Sequence, residues 1–237
     1  MNKRRILLKL SGEALAGQGG FGLDQQSLER ICLEAAKIHE AGMELAIVVG
    51  GGNYWRGRSS GQMDRAVADN IGMLATVMNS LAIQDKLRQL SYEATVLSAL
   101  DMPKICPLFR KEEALELLTA DSIVILAAGT GNPFFSTDTT AALRGAELEV
   151  DLVLKATLVD GCYDKDPHLY PDAKKYDFLT YEQLLADKLQ VIDATAAALL
   201  ADSQLDLCIF DIAKEGNMLA AAKGEKVGTL VLSTKKL

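Results

Sequence analysis

Two lysines in apolar surroundings are the residues of this sequence best suited to chemistry. Lys9 interrupts the apolar run at residues 6–10, and Lys155 interrupts a second run at residues 152–156. A lysine inside a buried strand lowers stability unless its charge is paired or used, and buried lysine is rare. Two such lysines near strand ends indicate a site that binds an anion.

Glycines follow two of the predicted strands and would let backbone N–H groups approach a phosphate. Gly50-Gly51-Gly52 follows the strand at 44–49, and Gly129-Thr130-Gly131 follows the strand at 122–127. Bare backbone and a following helix N-terminus both attract oxyanions. Asp138, where the second loop becomes a helix, supplies a counter-charge for the lysines or a simple helix cap. We therefore predict a phosphate site, with a tight turn as the alternative role of the three glycines.

The segment Gly17-Gln18-Gly19-Gly20-Phe21-Gly22 matches the GxGxxG pattern of dinucleotide-binding enzymes, but its context is wrong. Six residues separate it from the first strand, and the second strand ends in glycines instead of an acidic ribose ligand. A nicotinamide or flavin enzyme is thus the less favoured class, and we interpret residues 16–22 as a flexible loop. The sequence also lacks GxxxxGK[ST], so any nucleoside triphosphate is bound without a P-loop.

Composition excludes several other classes of protein. The net charge of −7 argues against nucleic acid as a partner, and four separated cysteines with two histidines fit neither a zinc site nor a redox motif. Lys9 interrupts the only N-terminal apolar run, so no signal peptide is expected. Without an apolar run long enough to span a bilayer, we predict a cytoplasmic protein with no membrane partner.

Apolar strand-like runs alternate with segments of helical periodicity along the whole chain. We predict strands at 5–10, 44–49, 94–98, 122–127, 152–156, 207–212 and 229–232. We predict helices at 25–41, 64–90, 111–118, 138–147, 181–186, 193–202 and 217–222. This alternation predicts one α/β domain with a mainly parallel central sheet covered by helices on both faces. Residues 160–175 break the pattern and are expected to form a loop or lid. Ligands of such sheets bind beyond the carboxyl ends of the strands, where the lysines and glycines lie.

Five motifs, in this order, resemble those of bacterial uridylate kinases and cover the chain from end to end. They are Lys9-Leu10-Ser11-Gly12-Glu13, Gly50-Gly51-Gly52-Asn53 with Arg56-Gly57, Gly72-Met73-Leu74-Ala75-Thr76, Gly129-Thr130-Gly131-Asn132-Pro133-Phe134-Phe135, and Leu154-Lys155-Ala156-Thr157 with Val159-Asp160-Gly161. The Gly-Asn-Pro-Phe-Phe run separates uridylate kinases from other members of the amino-acid kinase superfamily.

The resemblance implies an amino-acid-kinase-like three-layer fold with a UMP-binding half at roughly 1–150 and an ATP-binding half at roughly 151–237. It implies transfer of a phosphoryl group from ATP to UMP in pyrimidine nucleotide synthesis. Mg²⁺ would be held mainly by the nucleotide phosphates, and no protein residue is expected to be a metal ligand. The resemblance further implies a homohexamer and regulation by GTP and UTP.

Carried over residue by residue, the resemblance assigns catalysis to Lys9, Asp138 and Lys155. It assigns ATP binding to Lys9, Leu10, Ser11, Gly12, Gly52, Arg56, Thr157, Tyr163 and Asp166. It assigns UMP binding to Gly51, Asp69, Thr130, Gly131, Asn132, Pro133, Phe134, Phe135, Ser136 and Thr137. Gly17, Gln18, Gly19, Gly20, Phe21 and Gly22 correspond to an effector-responsive loop.

Two other functions stay open at this point. One is a related kinase acting on carbamate, aspartate or acetylglutamate, which residues 132–135 and Asp69 argue against. The other is a catalytically silent nucleotide-binding or storage protein, which would have no need of Lys9, Asp138 and Lys155 together. Asp193 is interpreted as a helix N-cap outside the site, and Asp160 as a turn residue.

Overall fold

A single eight-stranded sheet organises the chain in the computed structural model, which describes residues 3–55, 62–167 and 169–233. The strands are β1 (Arg5–Leu10), β2 (Glu44–Val49), β3 (Ala94–Ser98), β4 (Ile123–Ala127), β5 (Leu152–Thr157), β6 (Cys162–Tyr163), β7 (Lys175–Tyr176), β8 (Phe178–Thr180), β9 (Leu207–Asp211) and β10 (Thr229–Leu232). The large sheet has the order β3-β4-β2-β1-β5-β9-β10-β8, and β6 and β7 form a separate pair. Every pairing in the large sheet is parallel except that of β10 with β9.

Helices cover both faces of this sheet. They are α1 (Gln25–Glu40), α2 (Arg65–Gln89), α3 (Lys111–Thr119), α4 (Thr137–Glu147), α5 (Tyr181–Ala186), α6 (Ala194–Asp202) and α7 (Asn217–Lys223). Helices α1, α2 and α7 contribute to one hydrophobic core, and α3, α4, α5 and α6 contribute to the other. The predicted α/β fold, with a mainly parallel sheet between two helical layers, is therefore confirmed.

The alternation of side chains along β1 and β5 decides which layer each lysine faces. Leu8 and Leu10 of β1 belong to the core shared with α1 and α2, whereas Leu7 belongs to the core shared with α4. Since successive side chains point to opposite faces of a strand, Lys9 lies on the same face as Leu7. By the same period, Lys155 shares the face of Val153. Both lysines therefore face the layer that contains α4.

Short elements account for most departures from the predicted pattern. The region 160–175 contains the two-residue strands β6 and β7, and the three-residue strand β8 extends the large sheet. Segments this short have no measurable periodicity, so no sequence pattern could reveal them. Residues 16–22, predicted as a flexible loop, include a 3₁₀ turn at Gly17–Gly19. The four cysteines are buried and free.

Helix α2 is long and apolar enough to cross a membrane by length and composition alone. One of its faces, however, is buried in the same core as β2 and β4, and Asn79 and Ser80 lie fully inside the protein. Core helices of globular proteins pass the same test. The predicted absence of a membrane partner stays a prediction.

Candidate active site

Lys9 and Lys155 meet on a single carboxylate. The parallel register of β1 and β5 pairs the two lysines directly, and α4 crosses above them. Lys9 Nζ lies 2.8 Å from Asp138 Oδ1, while Lys155 Nζ donates a hydrogen bond to Asp138 Oδ2. All three side chains are between 11% and 13% exposed, so the cluster is buried but open to solvent on one side.

The electrostatics of this cluster keep Asp138 ionised. Burial alone would raise the pKa of the Asp138 carboxyl, but the charges of Lys9 and Lys155 outweigh that effect and hold the pKa below its usual value. Burial also lowers the pKa of the Lys155 ammonium, an effect that Asp138 opposes and Lys9 reinforces. Two ammonium groups thus face the single carboxylate of Asp138, and the charge of Asp193 also favours the protonated form of Lys155.

The start of α4 fixes the position of Asp138. Ser136 is the N-cap, and its hydroxyl accepts hydrogen bonds from the N–H groups of Asp138 and Thr139, each at 3.0 Å. Thr140 Oγ1 donates to Ser136 O at 3.0 Å in the same turn. A capping serine satisfies N–H groups that have no partner within the helix. Ser136, one of the residues predicted to bind UMP, thus also fixes the backbone of Asp138.

Asp193 contributes to this arrangement, although the sequence indicated only a helix cap. Its carboxylate caps α6, accepting from Ala196 N–H at 3.0 Å, and the predicted capping role is confirmed. The same carboxylate accepts hydrogen bonds from the Ser136 hydroxyl and from Thr139 Oγ1, the latter at 3.1 Å. These contacts with the start of α4 were not predicted, because a capping pattern carries no information about a partner more than fifty residues away.

Close packing, and not a left-handed backbone, requires glycine at Gly51 in the turn after β2 and at Gly12 in the tail of β1. Neither of them has a positive φ. A Cβ on Gly51 would lie 2.8 Å from both Ala75 Cβ and Gly72 O, and a Cβ on Gly12 would lie 2.5 Å from Gly50 O. Only residues without a side chain allow the tails of β1 and β2 and the helix α2 to approach this closely.

A small cavity of about 120 Å³ lies between the glycine turn and the loop after β4. Of the residues assigned to UMP binding, it is lined by Gly51, Asp69, Thr130, Asn132, Phe135, Ser136 and Thr137. Gly131, Pro133 and Phe134 do not line it, and the Phe134 side chain is exposed. Asp69 Oδ2 instead accepts from Phe134 N–H at 2.8 Å and from Arg65 Nε at 2.9 Å.

Several residues of this cavity were assigned no role from the sequence, although Met73 and Thr76 belong to the motif at residues 72–76. Trp55, Met73, Thr76 and Thr140 also line it, and Thr76 Oγ1 accepts a hydrogen bond from Ala128 N–H at 2.9 Å. Their types and helical spacing are those of ordinary core residues, so only the tertiary structure distinguishes them.

A larger cavity of about 600 Å³ opens on the other side of Lys155. Thr157, Tyr163 and Asp166, three of the residues assigned to ATP, line it. Tyr163 Oη donates to Asp160 Oδ1 at 2.6 Å, and Lys175 Nζ lies 3.2 Å from Asp160 Oδ2. Asp160, interpreted as a turn residue, therefore also holds the wall of this cavity.

The remaining ATP residues line a third space or lie within the core. Lys9, Ser11, Lys155 and Thr157 line this third space of about 250 Å³, which adjoins the larger cavity at Lys155 and Thr157. The side chain of Leu10 is fully buried, so only its backbone can face a ligand, and its carbonyl accepts from Gly50 N–H at 2.9 Å. Gly12 and Gly52 line neither cavity and contribute backbone alone. Arg56 lies outside the described residues.

The proposed effector segment lies apart from both cavities. Gly17, Gln18 and Gly19 line a separate space of about 660 Å³ with Glu13, Asp24 and Arg30. Within the part of the chain that the structure describes, no group of three carboxylate, histidine or cysteine side chains could hold a metal ion.

The chain is similar to known proteins along almost its whole length. Residues 4–218 match the amino acid kinase family. The uridylate kinase of Dichelobacter nodosus is 50% identical over 96% of this chain and 95% of its own length. The UMP kinase structure from Bacillus anthracis superposes with a TM-score of 0.95 at 35% identity, covering 99% of this chain and 98% of that one. The UMP kinase structure from Ureaplasma parvum gives 0.93 at 35% identity, covering 98% and 100%.

These similarities agree with the resemblance seen in the five sequence motifs. Family match, sequence identity and superposition each extend over more than nine-tenths of the chain. The chain belongs to the amino acid kinase family and, within it, to the uridylate kinases.

Proposed function

We propose that the site around Lys9, Asp138 and Lys155 transfers the terminal phosphoryl group of ATP to UMP. The observation that supports this best is the lysine pair held on one carboxylate between two cavities of unequal size. The 120 Å³ cavity would take part of the acceptor UMP, and the 600 Å³ cavity would take the nucleoside of ATP. Lys155 lines the larger cavity, and Asp138 holds it beside Lys9.

The reaction needs no general base. The second pKa of a phosphate monoester is about 6, so the attacking UMP oxygen is ionised at neutral pH. That oxygen forms a bond to the γ-phosphorus while the bond to the β,γ-bridging oxygen breaks and ADP leaves. Charge accumulates between two polyanions, and Lys9 and Lys155 would stabilise it because they are already in place before the substrates bind.

Mg²⁺ enters this scheme as part of the ATP·Mg²⁺ substrate. Both Asp138 oxygens face a lysine ammonium, which disfavours a cation at that carboxylate. When bound, the ion neutralises part of the phosphate charge. This chain's own residues would align the phosphates: Lys9 and Lys155 by charge, and Ser11, Gly12 and Gly52 by hydrogen bonding.

The acceptor would be recognised by the residues between α2 and α4. Asp69 lines the acceptor cavity at the first turns of α2 and would bind the ribose hydroxyls of UMP. Residues 130–137 close the other side. A homohexamer, regulation by GTP and UTP through residues 17–22, and a cytoplasmic location follow from the family and stay proposals.

Release of ADP from ATP·Mg²⁺, measured with UMP, CMP, dUMP, AMP, GMP and carbamate offered separately, tests the substrate assignment. We expect turnover with UMP well above that with the other acceptors. Strong turnover with a different acceptor would contradict the assignment of the acceptor cavity, and ATP binding without turnover would favour a silent binder.

Lys9→Ala tests the catalytic assignment in the same assay. Because the charge of Lys9 is needed in the transition state, kcat should fall by about a hundredfold or more while KM for UMP changes little. Lys3→Ala, at an exposed ion pair with Asp121, is the matched control and should leave kcat unchanged. A Lys9→Ala enzyme that lost UMP affinity but kept kcat would overturn the catalytic role.

A further inference from the structure

A pair of buried side-chain amides lies directly behind the Gly50–Gly52 turn. Asn53 follows the turn, Asn79 belongs to α2, and neither side chain is more than 1% exposed. Asn53 Nδ2 donates to Asn79 Oδ1 at 3.0 Å, and Asn79 Nδ2 donates to Asn53 Oδ1 at 2.7 Å. Neither residue has a role in the chemistry proposed above.

Within the described residues, the two amides also donate hydrogen bonds to backbone carbonyls of two other segments. Asn79 Nδ2 donates to Gly50 O at 2.7 Å, and Asn53 Nδ2 donates to Gly22 O at 2.6 Å. Gly22 N–H donates back to Asn53 O at 2.9 Å. The pair therefore joins α2, the glycine turn and the loop at 17–22. Fully satisfied buried networks of this kind rigidify the backbone that they hold.

The direction of the carbonyl groups links this network to phosphate binding. Asn79 draws the Gly50 carbonyl toward α2, and the Gly51 carbonyl accepts from the N–H groups of Tyr54 and Trp55. A carbonyl oxygen that faced the phosphates would repel them, whereas backbone N–H groups attract them. Holding the carbonyls inward thus preserves the polarity that the turn presents to an anion.

The tail of β1 packs against the same groups. A Cβ on Gly12 would lie 2.5 Å from Gly50 O, 2.6 Å from Asn53 Oδ1 and 2.9 Å from Gly52 N. The backbone of Gly12 is therefore in direct contact with both the turn and the amide pair. A shift of either asparagine would displace the tails of β1 and β2 together.

We propose that the Asn53–Asn79 amide pair is a positioning element for phosphoryl transfer, which holds the tails of β1 and β2 in the orientation that receives the ATP phosphates. The inference rests on the phosphate-binding role proposed for Gly12 and Gly52. The pair would act through these backbone segments and would not touch substrate.

The test compares Asn53→Ala, Asn79→Ala and the double variant with the parent enzyme. The control is Ser80→Ala, because Ser80 neighbours Asn79 on α2, is equally buried, and donates only within its own helix, to Thr76 O at 2.8 Å. The measurements are kcat, KM for ATP, thermal melting, and UMP affinity from the fluorescence of Trp55, the one tryptophan of the sequence.

We expect each single asparagine variant to lower kcat by at least about tenfold and to raise KM for ATP, with UMP affinity changed by less than about threefold. The double variant should be little worse than either single variant, because the two side chains form one unit. Ser80→Ala should keep kcat within about twofold of the parent.

Folded Asn53→Ala and Asn79→Ala enzymes with kcat within about twofold of the parent would overturn the proposal. If Asn79→Ala does not fold, the kcat of Asn53→Ser is compared with that of the parent by the same twofold limit. This variant keeps a small polar group but loses the hydrogen bond from Asn53 Nδ2 to Gly22 O. A parent enzyme that does not turn over UMP would instead overturn the proposed function, so the two failures are distinguishable.

Discussion

The chemistry proposed for this chain depends on the ionisation of three neighbouring side chains. Asp138 remains charged because two lysines outweigh the effect of its burial on the carboxyl pKa. Lys155 is held charged mainly by Asp138, against burial and the repulsion of Lys9, and its pKa is lowered from the ordinary lysine value. Lys155 therefore loses its charge at a lower pH than an ordinary lysine does.

The pH dependence of kcat/KM for UMP follows from this lowered pKa. Loss of the Lys155 proton removes a charge that stabilises the transferring phosphoryl group, so kcat/KM should fall on the alkaline side below the pH where lysine ordinarily titrates. In Lys155→Arg the guanidinium stays charged, because its pKa exceeds about 12, and this alkaline fall should be lost although kcat is lower.

The comparison of the two profiles is internally controlled, since ionisation of the substrates affects parent and variant alike. An alkaline fall of the same midpoint in Lys155→Arg would show that another group is responsible. The measurement requires only initial rates at subsaturating UMP across the alkaline range.

At the scale of elements, Asp193 connects the start of α6 with the start of α4. It accepts hydrogen bonds from the capping serine of α4 and from Thr139, and caps its own helix as well. Asn at this position would retain the cap and an acceptor oxygen but lose the charge, whereas Ala would lose all of these.

Substitutions of Asp193 should separate these contributions. We expect Asp193→Ala to lower kcat by about tenfold or more through misplacement of Ser136 and Asp138, and Asp193→Asn to lower it less. Asp24→Ala, which removes the corresponding cap of α1, is the control for lost capping and should affect melting more than kcat. Equal effects of Asp193→Ala and Asp24→Ala on kcat would contradict a positioning role.

The difference between what the sequence predicted and what the structure contains also has its origin at this scale. Lys9 and Lys155 could be recognised because a charge in an apolar strand is anomalous on its own, and Asp138 because a loop becomes a helix there. Asp193, Asn79 and Trp55 could not, because their importance depends on which residue faces them across the fold. Local sequence patterns are sufficient to predict the long helices and strands, whereas β6, β7 and β8 form only through tertiary pairing.

For the whole molecule, the buried ion cluster links activity to stability. Asp138→Asn would leave two buried ammonium groups without a carboxylate, and breaking a buried pair in this way costs about 3 kcal/mol of unfolding free energy. The exposed Lys3–Asp121 pair provides the control, because Asp121→Asn should change stability little in a solvent-screened position. Chemical unfolding at neutral pH measures both variants.

The pH dependence of this stability has a definite sign. The folded-state pKa of Asp138 is lowered, so its contribution is present above the ordinary carboxyl pKa and is lost as the pH falls through the lowered value. The difference in unfolding free energy between parent and Asp138→Asn should therefore be largest at neutral pH and shrink in acid. A difference that did not depend on pH would contradict the lowered pKa.

The parallel register that pairs Lys9 with Lys155 also limits where insertions and deletions can occur in such a sequence. An insertion or deletion of one residue within β1 would turn Lys9 into the opposite layer and bring a leucine to Asp138, because neighbouring positions of a strand face opposite sides. A substitution at Lys9 alters one charge. An insertion or deletion in β1 instead moves every side chain on one side of the change to the opposite face of the sheet. Length variation should thus be tolerated in the connections between elements and excluded from β1 and β5.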